Sequence, residues 1–285
     1  MIVVTGGTGF VGRRLLQVLG ERGLAHRAPS RAELDITAPT ADALEGATAV
    51  VHLAAYIPRD HGSADEAEAC MRANALGTLA LLQASVAAGV RRFVCASSGN
   101  IYRAQPRAVT EDDPIYPSAR AAYYLASKVA GETYADHFDR AGKLSVAIAR
   151  ISSVYGPGMV AAGMLYAFAS RLRAGATVDV QDGGSYRSDL VYVDDVATGL
   201  ANLVGSSLRG PVNLGAGYAP TTLEVAMLLA ELTGRDASAL RVAPAASGAP
   251  ALGFSALDIR RAISELGYAP RSLRDGVTAY LGSLV

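Results

Sequence analysis

The chain has 285 residues, 51% hydrophobic and 18% charged, with 26 Lys plus Arg against 26 Asp plus Glu. That composition supplies a sizeable core and excludes a largely disordered chain. The zero net charge argues against broad electrostatic capture of nucleic acid or of an anionic membrane surface.

The first strand is MIVVT, short, β-branched and bounded by glycine. It carries no charged leader ahead of it, so no secretory signal is expected. FVGRRLLQVLGERG spaces Phe10, Val11, Leu15, Val18 and Leu19 near helical periodicity, and Gly23 ends it. AHRAPS is a weak second strand, and ATAVVHLAA a strong third, too short to span a bilayer. Ala64 to Ala88 reads as a long helix closed by Gly89. RRFVCASS is another strand, and SARAAYYLASKVAGETYADHFDRAG another long helix. LSVAIARISSVYG is a strand running into a loop. This βαβ series predicts a doubly wound α/β fold around a parallel sheet.

After Tyr155 the texture changes. A helix (Met164 to Ala174), a strand (ATVDV), a glycine turn (QDGGS) and a strand (DLVYV) follow in turn. TTLEVAMLLAELTG is a helix opened by a threonine cap, and APAASGAPALGFS is loop-like. We expect residues 1–155 to be mainly a dinucleotide-binding domain. Residues 156–285 are expected to be mainly a substrate lobe, with segments returning to the sheet. Cys70 and Cys95 have no metal-ligand spacing and read as buried thiols of a reducing compartment, so a cytoplasmic protein is expected. No metal motif occurs. His52 reads as a core or sheet-end residue and His61 as a loop residue, neither a catalyst.

VTGGTGFVG joins the first strand to the first helix. Gly6 permits the tight turn, Gly9 lets backbone approach a pyrophosphate, and Gly12 lets the helix pack close to the sheet. The helix N-terminus offers unpaired N–H groups to phosphates. In this context the triad points to a dinucleotide rather than to a merely structural turn. The end of the second strand bears on which one. An NAD site presents an acid there, and an NADP site an arginine. Here Ser30 and Arg31 stand at that place, with Asp35 later and facing the adenine. NADP(H) is therefore favoured and NAD(H) is the alternative, in which case Arg31 is a solvated surface arginine.

Lysine occurs only at Lys128 and Lys143 in this arginine-rich chain. Lys128 follows Tyr124 by four residues, so the two share a helix face, whereas Tyr123 is turned about 100° away. An ammonium beside a phenol favours the phenolate, and Tyr124 can then exchange a proton with a substrate oxygen. Ser97 and Ser98 end the strand VCASSGNIY, where parallel sheets bind ligands. Either serine can be a simple turn residue, but beside the glycine loop and the Tyr–Lys pair one is expected to hold the substrate oxygen.

With these motifs the chain resembles the extended short-chain dehydrogenase/reductases, also called the NAD-dependent epimerase/dehydratase family, and in particular their nucleotide-sugar 4-ketoreductases. The similarity runs through TGGTGFVG, VVHLAA, NALGT, FVCASSGNIY, YLASKVAGE, ISSVYGPG, DLVYVDDVA, VNLGAG and GYAPRSLRDGV. It implies Ser98 as the substrate-orienting hydroxyl, Tyr124 as the acid/base and Lys128 as its tuner. It implies cofactor contacts at Gly6, Gly9, Phe10, Val11, Gly12, Ser30, Arg31, Asp35 and Ile36. Further contacts are implied at Leu53, Ala54, Ala55, Asn74, Ile151 and Val154. Asn74 matches a position that supports the lysine or its water. Ser153 matches the segment facing nicotinamide and substrate. A homodimer through the two long helices is also implied.

Three departures bear on the reaction. Dehydratases of this family carry Asp-Glu after the catalytic hydroxyl, and here Gly99 and Asn100 stand there. Ser153 replaces a common Asn, and Ser188 stands where an Arg is usual, with Arg187 one residue early. Ser98, Asn100, Tyr124, Ser153 and Arg187 are the expected substrate contacts. Arg103 replaces the glycine of a usual VYG and is either a phosphate contact or a surface charge. The expected function is an NADPH-dependent ketoreductase of a small-molecule substrate, a keto-sugar carried on a nucleotide. The alternatives are a sugar 4-epimerase, a reductase of a non-nucleotide ketone, or a non-catalytic cofactor-binding protein.

Overall fold

The computed structural model describes residues 1–60, 63–116, 121–160, 163–245 and 253–284. His61, the expected helix start at Ser118 to Arg120 and most of the loop after Val242 lie outside the described residues.

The sheet begins with β1 (Ile2–Thr5), whose four residues are all buried. The glycine loop carries the chain into α1 (Phe10–Glu21), and β2 (His26–Arg27) keeps only two residues of the weak second strand. β3 (Ala49–His52) follows. The long helix of residues 64–88 is composite: a 3₁₀ turn, α2 (Ala67–Cys70), a π-helical turn at Met71–Leu76, and α3 (Gly77–Ala87). β4 (Arg92–Ser98) runs into a 3₁₀ turn at Gly99–Ile101, and α4 spans Ala122–Arg140. The stretch read as one strand and a loop is two strands, β5 (Ser145–Ile151) and β6 (Ser153–Tyr155). The break falls at Ser152, whose N–H crosses to the Leu214 carbonyl and whose hydroxyl donates to Asp189.

The second part continues with α5 (Gly163–Arg173), β7 (Val178–Val180) and β8 (Leu190–Tyr192). Then come α6 (Val193–Gly205), β9 (Gly210–Leu214) and α7 (Thr222–Leu232). β10 (Leu240–Val242), α8 (Arg260–Leu266) and α9 (Leu273–Ser283) complete the described chain. The threonine cap of α7 is a full capping box between Thr221 and Glu224.

Six strands form one sheet in the order β2-β1-β3-β4-β5-β9, every pair parallel. Alternate residues feed its two faces. Val4, Val51, Ala96 and Ala149 pack with α1 and α6; Val3, Val50, Cys95 and Ile148 pack toward α3 and α4. A third apolar cluster joins α5, α7 and α9 to the small pairs β6–β8 and β7–β10. Both cysteines are buried and unbridged. Among the described residues no helix is long and apolar enough to cross a membrane.

Candidate active site

Gly6 has φ +71°, a left-handed conformation, and a Cβ there would stand 2.6 Å from the Ala54 amide nitrogen. Glycine is needed both for the turn and for the approach of β1 to the loop after β3. A Cβ at Gly12 would lie 2.2 Å from the Gly6 carbonyl oxygen, so Gly12 lets α1 close onto the loop. Gly9 is the N-cap of α1, while Phe10 and Val11 lean into the third apolar cluster.

Beside this loop opens a cavity of about 440 Å³. Of the expected cofactor residues it is lined by Gly6, Ser30, Arg31, Asp35, Ile36, Ala54 and Ala55. Thr5, Gly7, Thr8, Pro29, Tyr56 and Arg72 also line it and were not expected from the sequence. A cavity walled by a glycine loop at a helix N-terminus fits the phosphate-bearing half of a dinucleotide. Leu53, Ile151 and Val154 lie away from it, packed on the main core. Ile151 pairs in register with Ser98 across β4 and β5.

Ser98 ends β4, and its Oγ accepts the Asn100 N–H at 3.2 Å, which leaves its own proton to donate. Tyr124 is in the first turn of α4, the helix that packs over β4, β5 and the Gly99–Ile101 turn. Tyr124, Lys128 and Glu132 follow at four-residue steps along that helix, so they share one face. Lys128 is 8% exposed, and its side chain makes no hydrogen bond among the described residues. It stands near His52 and Cys95. Burial pushes the Cys95 thiol up to about 11 while the Lys128 ammonium holds it down.

Asn74 lies in the π turn, and its side chain is engaged elsewhere than at Lys128. Oδ1 accepts the Tyr56 N–H at 2.7 Å, and Nδ2 donates to the Tyr56 carbonyl at 2.9 Å and to Ser127 Oγ at 3.0 Å. It therefore fixes the loop after β3 and the residue next to the lysine, with no amide hydrogen left over. Gly131 admits this helix contact, since a Cβ there would be 3.0 Å from the Asn74 carbonyl oxygen.

Beneath the site lies an ion pair of two residues that were not among those expected from the sequence. Arg150 Nη2 meets Glu132 Oε2 at 2.9 Å, both side chains buried. Arg150 Nη1 donates to Tyr102 Oη at 2.8 Å and to the Glu111 carbonyl at 2.9 Å. Tyr102 Oη donates to Asn213 Oδ1 at 2.8 Å. Burial alone would lower the Arg150 guanidinium, but the bonds and charge of Glu132 raise it. The signal was present: Glu132 continues the face of Tyr124 and Lys128.

The substrate-side residues split. Ser153 Oγ and Ser188 Oγ bond each other at 2.8 Å. Arg187 lies before β8, bridges Thr221, and donates to the Ala219 carbonyl at 3.0 Å. It lines a second cavity of about 700 Å³ with Arg107, Tyr218, Phe254 and Ser255. Asn100 is half-buried beside Ser98. A Cβ at Gly99 would lie 2.7 Å from Leu257 Cδ1, so a larger residue there requires the Leu257 side chain to shift.

His52 is fully enclosed. Burial, and secondarily the Lys128 charge, push its imidazole down to about 3. The unfolded chain takes up a proton near pH 6.5 and the folded chain does not, so stability falls with acid below that point. A loss of about 2 kcal/mol is expected as pH falls from about 7.5 to about 5. Urea titrations across that range check it, and His52→Leu should flatten the slope there.

The chain compares with known proteins as follows. The profile of the NAD dependent epimerase/dehydratase family matches residues 2–215. A UDP-glucose 4-epimerase of Mycolicibacterium smegmatis is 31% identical over 96% of this chain and 95% of its own length. A dTDP-glucose 4,6-dehydratase of Streptomyces niveus is 30% identical over 83% of this chain and 69% of its own. The crystal structure of Thermus thermophilus UDP-glucose 4-epimerase in complex with NAD is 28% identical. It superposes with a TM-score of 0.82, covering 99% of this chain and 98% of the other.

Proposed function

The chain belongs to the NAD dependent epimerase/dehydratase family, and from that premise we propose that it is an NADPH-dependent ketoreductase. Its substrate is the keto group, specifically a 4-keto group, of a nucleotide-linked deoxysugar. The observation that carries the choice of cofactor and direction is the rim of the 440 Å³ cavity. Arg31 stands there with its side chain 86% exposed and its Nε 3.7 Å from Asp35 Oδ2, an open ion pair on the rim. The nearby acids are engaged: Glu33 Oε2 accepts the Ser30 N–H at 2.7 Å, and Asp35 Oδ1 accepts from Thr37 N and Oγ1 at 2.9 and 2.8 Å. A guanidinium suits a ribose 2′-phosphate, whereas a ribose 2′-OH calls for a carboxylate.

A bound nicotinamide supplies the hydride. Ser98 donates its hydroxyl proton as a hydrogen bond to the carbonyl oxygen, and Tyr124 delivers a proton to that oxygen as it gains charge. Lys128 stabilises the phenolate left behind and binds the cofactor ribose. The Ser153–Ser188 pair and the cavity around Arg187 receive the part of the substrate away from the reacting carbon. Gly99 and Asn100 speak against elimination of water, since neither residue can serve as its acid or base. Homodimerisation through the 64–88 helix and α4 belongs to the same reading, and exposed Met71 and Leu76 support it.

The near full-length similarity to a UDP-glucose 4-epimerase favours a second reading, a 4-epimerase that retains its cofactor. One assay separates the two. With a nucleotide-linked 4-keto-sugar in excess, the reductase consumes NADPH mole for mole with product, and NADPH serves better than NADH. Interconversion of the corresponding 4-hydroxy nucleotide sugar and its C4 epimer, with no net consumption of either cofactor and no sustained reduction of the keto-sugar, establishes the epimerase instead.

A further inference from the structure

His52 closes β3 in the middle of the sheet, where the two residues before it are valines, and is 2% exposed. Both ring nitrogens are engaged. Nδ1 is 2.7 Å from Thr5 Oγ1, and Nε2 is 3.0 Å from Thr78 Oγ1. Proton accounting fixes the direction of each bond. Thr78 Oγ1 donates its one proton to the Asn74 carbonyl at 2.6 Å, so toward His52 it can only accept. Nε2 therefore carries the ring proton and Nδ1 is bare. Thr5 Oγ1 donates to Nδ1, and itself accepts the Ala54 N–H at 3.3 Å.

These bonds form a one-way chain from the Ala54 N–H through Thr5, His52 and Thr78 to the Asn74 carbonyl. It starts in the wall of the cofactor cavity, since Thr5 and Ala54 both line it. It ends in the π turn, where the Asn74 side chain reaches Ser127 Oγ, and Ser127 Oγ donates to the Tyr124 carbonyl at 2.7 Å. An apolar residue at position 52 would leave both buried hydroxyls without this partner. Asn or Gln carries its donor and acceptor at one end of the side chain. Imidazole holds them on opposite edges of a rigid ring, which lets it bridge two hydroxyls.

We infer that His52 is a positioning residue that ties the glycine loop to the first turn of α4, so that the cofactor loop and Tyr124 are held in one register. The inference rests on the reading of Tyr124 as the acid/base, but its test needs no substrate. Amide hydrogen exchange is followed at residues 125–128, with α7 as an internal reference. NADPH and NADH affinities are measured by fluorescence. Thr78→Val cuts the chain between His52 and Asn74, Thr78→Ser keeps the hydroxyl, and His52→Leu removes the bridge.

In the cofactor-free protein, Thr78→Val and His52→Leu should speed exchange at 125–128 about tenfold while α7 is unchanged, with Thr78→Ser within about twofold of wild type. His52→Leu should also weaken the better-bound cofactor about tenfold. Unchanged exchange at 125–128 in a folded Thr78→Val protein overturns the inference, as does an increase shared equally by α7. If wild type binds neither cofactor, the proposed function fails, and the exchange data still decide the role of His52.

Discussion

Tyr124→Phe should lower turnover about a thousandfold or more while leaving cofactor affinity within about twofold. The change deletes one oxygen. The ring stays in place, in the first turn of a helix held by Gly131 against Asn74 and by Glu132 against Arg150. What is lost is the proton that neutralises the substrate oxygen, an interaction needed chiefly in the transition state, so kcat should fall far more than KM rises. Tyr123→Phe is the control. Tyr123 lies about 100° around the helix from the Tyr124–Lys128–Glu132 face and should retain turnover within about threefold. Steady-state rates of the two variants on the same keto-sugar, with NADPH binding measured alongside, decide it. If Tyr123→Phe is the inactive protein, the assignment of the catalytic face is wrong.

The parts of this site visible in the sequence are those whose physics is local. A glycine triad between a strand and a helix announces a phosphate loop because its spacing is set by one turn. Tyr124 and Lys128 announce themselves because four residues make one helix face. The parallel sheet followed from the alternation of short apolar runs with helical periods. Long-range closure was not visible. A return of later segments to the sheet was expected, but not that β9 would be the one, beside β5, nor that Val193 continues straight from β8 into α6. The break at Ser152 depends on Leu214 and Asp189, more than thirty residues away. Asn74 was expected to support Lys128 or its water, whereas its side-chain partners, Tyr56 and Ser127, are matters of tertiary contact. Arg187 and Ser188 were noted as out of place, and the Ser153–Ser188 bond shows only in the fold that these two segments meet.

The Arg150–Glu132 pair should dominate stability. Glu132→Leu strands a guanidinium that is 7% exposed, and Arg150→Met strands a carboxylate that is 6% exposed. Each single change should cost about 3–5 kcal/mol, because the remaining charge stays out of water without its partner. The two are not equivalent. A stranded carboxylate can take a proton, whereas a guanidinium stays charged, so Glu132→Leu should be the worse variant near neutral pH. The deficit of Arg150→Met should shrink as pH is lowered. The double variant Arg150→Met/Glu132→Leu removes both charges at similar volume and should recover most of the loss, a large favourable coupling in the cycle. Recovery should remain incomplete, since Arg150 also donates to Tyr102 Oη and to the Glu111 carbonyl, and the latter loses its donor. Urea midpoints of the four proteins measure this. Additive single losses would mean that the two side chains do not act as a pair. Recovery of stability without recovery of turnover would mean that the pair also sets where α4 lies over β4 and β5, and with it the distance from Tyr124 to the oxygen held by Ser98.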